Sequence, residues 1–283
     1  MQMIFCLLAP SRHSICTLLQ VCEIFGKEFS VEFNPAKSQL LLYNQPKSFK
    51  LEPIVLNNSV LNVVTNSVHL GNIIGNNKSV STCNRAITHL MSQTNCVMSH
   101  FGFCNPDIRI SMFRSYCTSF YGCPLWNLSL PDFERFYTAW RKCVRKIWKL
   151  SCRTHCRLIE FLYPGPCIQA MLLKRFLMFM YQANNSSNMY IQHSIRLSRS
   201  SNTSVAVNRR RLLDILCDND DVFMLPKSDL VCRLYRYFSN NGSTIDESIA
   251  NIIKELCHMR DGYAETFLDK NQIERLLIEL TES

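Results

Sequence analysis

Asp132–Leu150 reads DFERFYTAWRKCVRKIWKL, and the spacing of its apolar residues decides how the middle of the chain folds. Phe133, Phe136, Tyr137, Trp140, Val144, Ile147 and Trp148 recur at three- and four-residue steps, the repeat of one face of an α-helix. Arg135, Arg141, Lys142, Arg145, Lys146 and Lys149 fall mostly between them. Asp132 and Glu134 stand in the first turn, where carboxylates meet the positive helix end. Pro131 sits where a helix can begin. The segment predicts a long amphipathic helix with one apolar stripe and one basic face. Trp140 and Trp148 offer rings for base stacking, but their place in the stripe assigns them to the core.

Charge outside this helix is uneven. Residues 1–75 carry five Lys and Arg against four Asp and Glu, residues 76–160 twelve against four, and residues 161–283 fourteen against fourteen. The whole excess of +9 is thus nearly confined to the middle third. A basic amphipathic helix is most often a solvated surface helix over a core, but the excess also suits a membrane surface or a nucleic acid, RNA, DNA or their hybrid, held weakly and without sequence preference, and the helical setting favours the nucleic acid. An apolar fraction of 47% is ample for a core and argues against disorder.

The fifteen cysteines lie mostly inside apolar helical patterns (Cys16, Cys22, Cys96, Cys117, Cys143) and read as reduced, buried residues of an intracellular protein, nucleus and cytoplasm being alike in this respect. Cys152, His155 and Cys156 are closely spaced, with Cys143 and Cys167 near, but no pair of CxxC knuckles accompanies them, so no metal is expected there. Met1–Pro10 lacks the basic start and small-residue cleavage site of a signal peptide. Lys174-Arg175 interrupts the apolar run near Met171, so no membrane span is expected. Neither GxGxxG, a P-loop, HExxH nor GxSxG occurs.

Upstream the periods are short. Met1–Ala9 predicts a buried strand. Ser11 caps a helix that carries Ile15, Leu18, Leu19, Cys22 and Phe25 and stops near Gly26. Glu32–Ser38 is a turn, and Leu40–Tyr43 a strand. Ile54–Leu56 and Val60–Val64 form a hairpin around Asn57-Asn58. Val68–Ile74 is a further strand with Gly71 inside it. From residue 79 the period becomes helical: Ser79–Phe101, Pro106–Tyr121 with Asn105 as cap, then the Asp132 helix. Pro164-Gly165-Pro166 is a break. Ile168–Tyr181 is helical, the Asn- and Ser-rich stretch 184–204 is a loop or linker, and Arg209–Cys217, Lys227–Phe238, Asp246–Met259 and Asn271–Leu280 are helical again.

The order of these elements resembles a known family. Leu7-Leu8-Ala9-Pro10-Ser11 resembles the stretch after the Tyr-Ala-Asp-Asp motif of non-LTR (LINE-like) retrotransposon reverse transcriptases. Phe33–Ser38 is similar to that family's next palm motif, the turn carrying a lysine, and His69-Leu70-Gly71 to the hairpin that supports the primer end. Tyr121-Gly122, Leu125-Trp126, Arg135-Phe136, Ala139–Lys142 and Arg153-Thr154-His155 resemble the helical segment beyond the palm. The likeness covers roughly residues 1–160 in the right order, and the ordered combination is more specific than any one motif.

The resemblance implies an RNA-directed DNA polymerase with Mg2+ as cofactor in an intact member. This chain departs from it where the chemistry lies. Met3 and Ile4 stand at the positions of the two metal-binding aspartates, and the first aspartate in the chain is Asp107. Two-metal phosphoryl transfer needs clustered oxygen ligands, which methionine and isoleucine do not supply. The expectation is a truncated, catalytically dead remnant that begins inside the palm and needs no cofactor. What carries over is binding geometry. Lys37 would lie near the incoming nucleotide and His69 at the primer hairpin, although each alone reads as a solvated surface residue. Arg85, Arg109 and Arg114 would track a primer backbone as a thumb does, and Arg135, Arg141, Lys142, Arg145, Lys146, Lys149 and Arg153 would extend that surface.

The expected fold is mainly α with a small antiparallel β portion: a partial palm over 1–75, a basic thumb-like helical region over 76–163, and a C-terminal helical region over 164–283. Palm strands left without partners would expose edges and favour self-association. The competing reading is a helical interaction module, or a decayed product without function.

Overall fold

The computed structural model describes residues 6–43, 51–69, 72–75, 79–129, 131–216, 220–240 and 245–282. The chain divides into two compact units, Met1–Lys78 and Ser79–Ser283.

The first unit opens with Cys6–Ala9 in irregular backbone, so no strand forms there; the rest of the expected strand, residues 1–5, lies outside the described residues. Helix α1 (Arg12–Phe29) starts as its sequence dictates, with the Ser11 hydroxyl accepting from the Ser14 N–H. It does not stop at Gly26. The stop is Ser30, which takes the left-handed conformation at φ 54°. Gly26 instead admits a close neighbour: a Cβ there would lie 2.5 Å from the Val31 carbonyl oxygen. Its carbonyl accepts the Val31 N–H at 2.9 Å.

A single helical turn, Pro35–Lys37, follows, with the Asn34 side chain accepting from the N–H groups of Ala36 and Lys37. Among the described residues six short strands follow: β1 (Gln39–Leu41), β2 (Val55–Leu56), β3 (Ser59–Val60), β4 (Asn62–Val64), β5 (Asn66–His69) and β6 (Asn72–Gly75). Strands β2 and β3 are the hairpin read around Asn57-Asn58, and both turn residues have positive φ, as a type I′ turn requires. The run Val60–Val64 splits, however. Leu61 turns inward, 6% exposed, and β4 leaves the hairpin to pair with β1. That pair is parallel, so the β portion is not purely antiparallel. Val68–Ile74 is not one strand: Val68 and His69 end β5, Asn72–Ile74 lie in β6, and the two pair antiparallel with His69 opposite Asn72, while Gly71 lies outside the described residues. The unit's core is small, Leu19, Ile54, Leu56 and Leu61, with Leu40 and Phe33 packed at its edge.

The second unit is all helical among the described residues. It holds α2 (Ser79–Phe101), α3 (Pro106–Cys117), α4 (Asp132–Trp148), α5 (Cys156–Leu162), α6 (Ile168–Asn184), α7 (Met189–Ser198), α8 (Ser204–Leu216), α9 (Lys227–Asn240), α10 (Ile245–Arg260) and α11 (Lys270–Glu282). The whole molecule is therefore mainly α with a small β portion. Helix α4 is central. Its stripe is fully inside, with Phe136, Trp140, Val144 and Ile147 at 0% exposure. Phe120, Trp126, Phe133 and Phe136 make a ring cluster with centroids 5.4–6.3 Å apart. Trp140 meets Tyr163 edge-on at 5.1 Å, and the Trp148 indole N–H donates to the Leu162 carbonyl at 3.0 Å. Neither ring is free to stack on a base.

One core runs from Cys83 in α2 to Leu277 in α11, so the Pro164–Pro166 break is a turn inside this unit and not a domain boundary. Two helices escaped the sequence reading. Helix α5 is one turn and three residues long, below the length at which period is legible. Helix α7 lies in the Asn- and Ser-rich stretch expected to be a loop. The Asn188 side chain caps it by accepting from Tyr190 and Ile191 N–H, and none of its residues is buried.

Candidate nucleic-acid interface

The structure separates the twelve predicted contact residues into cations committed to the fold and cations on the surface. In the first unit Lys37 is exposed at the end of its helical turn, and His69 is half-buried at the end of β5. In the second unit Arg109 is 0% exposed. Its guanidinium donates to Asp261 at 2.6 Å and more weakly to the Gly102 carbonyl at 3.4 Å, and its Nε has no hydrogen-bond partner. A buried, paired arginine does not reach a phosphate, so the expected thumb role of Arg109 is replaced by a structural one. The reason lies far off in sequence, on the residue that follows α10.

Asp261 gathers three cations: Arg109, Lys149 at 3.5 Å and Arg260 at 3.2 Å. Burial pushes its carboxyl up, but Arg260, Arg109 and Lys149 together outweigh that and hold it below the ordinary carboxylate range. Arg260 also donates to the carbonyls of Trp148 and Lys149 at 2.8 and 2.9 Å. It thereby caps the C-terminal end of α4, where a cation meets the negative end of the helix. Lys149 itself ends α4 in the left-handed conformation, φ 52°.

Arg145 is also spoken for. Its Nε and Nη2 both donate to the Thr154 carbonyl, at 3.1 and 2.6 Å, holding the turn after α4. The Arg153-Thr154-His155 motif docks α11. The His155 N–H donates to the Thr281 carbonyl at 2.8 Å, Ser151 bonds Glu282 at 2.8 Å, and Arg153 reaches Glu282 at 3.8 Å. Arg141 is half-buried, with Thr138 at 3.4 Å, and lies near Glu160, whose carboxyl is raised by burial and lowered by that arginine.

The remaining cations form a row. At 3.6 residues per turn, Arg135, Lys142 and Lys146 stand on one face of α4, opposite the buried stripe, and span ~17 Å, and Lys149, already paired with Asp261, lies just past the helix end. All four are exposed. Lys146 donates to Asn95 of α2 at 2.6 Å, which ties the row to its neighbour helix. Among the described residues Arg135 and Lys142 have no ion-pair partner. Arg85 is exposed on α2, a helix without a single Asp or Glu. Arg114, exposed on α3, stands apart and lines a groove beside α6. Sequence reasoning missed Arg260 and Asp261; Gly262 after them, at φ 82°, is the helix-stop signal that marks the site.

Among the described residues no three His, Cys, Asp or Glu side chains come together as a metal centre would need, the Cys152–Cys156 region included. No described helix is long and apolar enough to cross a membrane. Comparison of the chain with protein-family models, curated proteins and solved structures finds no match.

Proposed function

We propose that the helical unit binds the phosphate backbone of RNA, DNA or an RNA–DNA hybrid without reading sequence, and that the chain is the palm end and thumb-like region of a non-LTR retrotransposon reverse transcriptase without polymerase chemistry of its own. The observation that carries the binding reading is the row Arg135, Lys142 and Lys146 on the outer face of α4, with Lys149 at its end, beside the acid-free helix α2. Cations in a line, with a carboxylate, Asp261, only against the Lys149 end, match an extended polyanion better than a compact ligand. The family reading is supported by the ordered motifs over roughly residues 1–160. The loss of chemistry follows from Met3 and Ile4 at the metal-binding positions of that alignment.

Filter binding of a short duplex and an RNA–DNA hybrid across a salt series tests this. Affinity is expected to fall steeply with salt. The triple variant Arg135→Glu, Lys142→Glu, Lys146→Glu is expected to flatten the log–log slope by about 2.7, the value for three lost phosphate contacts. Affinity that ignores salt, or a slope unchanged in the variant, refutes the binding reading. A primer-extension assay with Mg2+ is expected to show no nucleotide incorporation; templated synthesis by this chain would refute the other half.

A further inference from the structure

A second feature of the helical unit lies away from the α4 row. A groove of about 730 Å3 runs between α3, α6 and α9, within the size range of small-molecule sites. Arg114, Lys174 and Arg175 line it, and among the described residues no carboxylate does. Two of these cations, Arg175 and Lys174, are held. Arg175 donates to the carbonyls of Thr118 and Ser119 at the end of α3, and its guanidinium lies 5.6 Å from the Phe120 ring centre. The Lys174 ammonium stands 5.2 Å over the Tyr235 ring. Arg114 sits beside the Tyr163 hydroxyl, a side chain only 4% exposed. Fixed cations lose little freedom on meeting an anion, and their mutual repulsion falls when one arrives.

The rest of the lining has another character. Met171, Met178 and Phe179 give thioethers and a flat ring, suited to an apolar or aromatic body. A ligand that satisfies both sides has a compact anionic end and an aromatic body. We infer that this groove binds a phosphate monoester carried on an aromatic base, that is, a mononucleotide. The phosphate meets Arg114 and Lys174, with Arg175 as the fixed charge behind, while the base lies against Phe179 and the methionines. The inference stands on the groove alone and does not depend on the α4 row.

Isothermal titration of the full chain at low salt with AMP, adenosine and inorganic phosphate tests it. AMP is expected to bind and adenosine not to. Inorganic phosphate is expected to displace AMP only at concentrations about tenfold higher, since it lacks the base. Arg114→Gln and Lys174→Gln are each expected to weaken AMP about tenfold, the value of one charge-assisted hydrogen bond. Lys174→Arg, which keeps the charge, is expected to bind as the parent does, with thermal melting confirming the fold of each variant. Arg135→Glu and Lys142→Glu are expected to leave AMP binding unchanged, so failure here and failure of the nucleic-acid row are told apart. Absent AMP binding, equal binding of adenosine, equal displacement by inorganic phosphate, undiminished binding in both glutamine variants, or a loss in Lys174→Arg as deep as in Lys174→Gln each overturns the inference.

Discussion

The two units of this chain solve the folding problem with very different resources. The first, Met1–Lys78, rests, among its described residues, on four buried apolar side chains and on strands two to four residues long. Val21, Ile24, Phe25 and Phe29 of α1 stay exposed. The second closes nine of its ten described helices around a continuous core that contains all three tryptophans. Short strands and a small core bury too little apolar surface to offset the entropy of ordering the chain by a wide margin. The comparison teaches that the same chain holds a marginal unit and a robust one, and that the cations of the robust one divide between holding it and facing solvent.

The largest expected effect strikes the robust unit at its centre. Trp140→Ala removes a fully buried indole from between α4 and Tyr163. It is expected to cost about 3–5 kcal/mol, as buried aromatic truncations do. Urea unfolding followed by tryptophan fluorescence reads this unit alone, because Trp126, Trp140 and Trp148 all belong to it. A loss below about 1 kcal/mol would show that the core is loosely packed and would erase the contrast between the units.

Next comes the charge cluster at the end of α4. Asp261→Asn leaves Arg109 buried without its countercharge, and removal of one partner from a buried pair is expected to cost about 3 kcal/mol. The same site sets a pH dependence. The folded carboxyl lies below its unfolded value of about 4, so its contribution is fully present above that pH and is lost as pH falls through the folded value. Acid titration of the tryptophan signal is expected to show earlier unfolding in the parent than the loss of exposed ion pairs alone would give, and a shallower acid limb in Asp261→Asn. Identical acid limbs would place the cluster outside the stability of the unit.

The marginal unit gives the third test. Leu56→Ala removes one of its four core side chains and is expected to cost about 2–3 kcal/mol there, a large share of what a small core supplies. Far-UV circular dichroism should register the change while the tryptophan transition stays where it was. A tryptophan midpoint that moves with Leu56 would show that the units unfold together.

What the sequence made legible follows the same division. Helix α4 was readable because seven large side chains repeat at one period and all are inside. The Asn57-Asn58 turn was readable because two adjacent asparagines tolerate positive φ, the one local demand of that hairpin. Helix α7 was not, because its caps come from the same Asn and Ser residues that mark loops, and no buried stripe contradicts them. Charge counting found the basic region but could not sort it. Which arginine is consumed depends on partners such as Asp261, 152 residues from Arg109, and on backbone carbonyls such as that of Thr154, which carry no side-chain signature.

The smallest effect leaves the fold intact and maps the contrast thiol by thiol. Burial pushes Cys117, Cys123 and Cys257 up to about 11, despite the nearby Arg175 beside Cys123 and Arg260 beside Cys257. At pH 8 the reactive thiolate is then about one part in a thousand at each, and the side chains are also out of reach. Cys6, Cys96, Cys152, Cys156 and Cys232 are exposed. Brief alkylation of the native chain with iodoacetamide, read by peptide mass mapping, is expected to label those five first and to spare Cys117, Cys123 and Cys257 until denaturant is added. In the first unit Cys16 and Cys22 are only half-buried on α1, and their labelling at an intermediate rate would be the chemical trace of a core that opens more readily. Equal protection of Cys16 and Cys257 would mean that the small core holds as firmly as the large one, because a half-buried thiol at the edge of that core escapes reagent only if its surroundings seldom open.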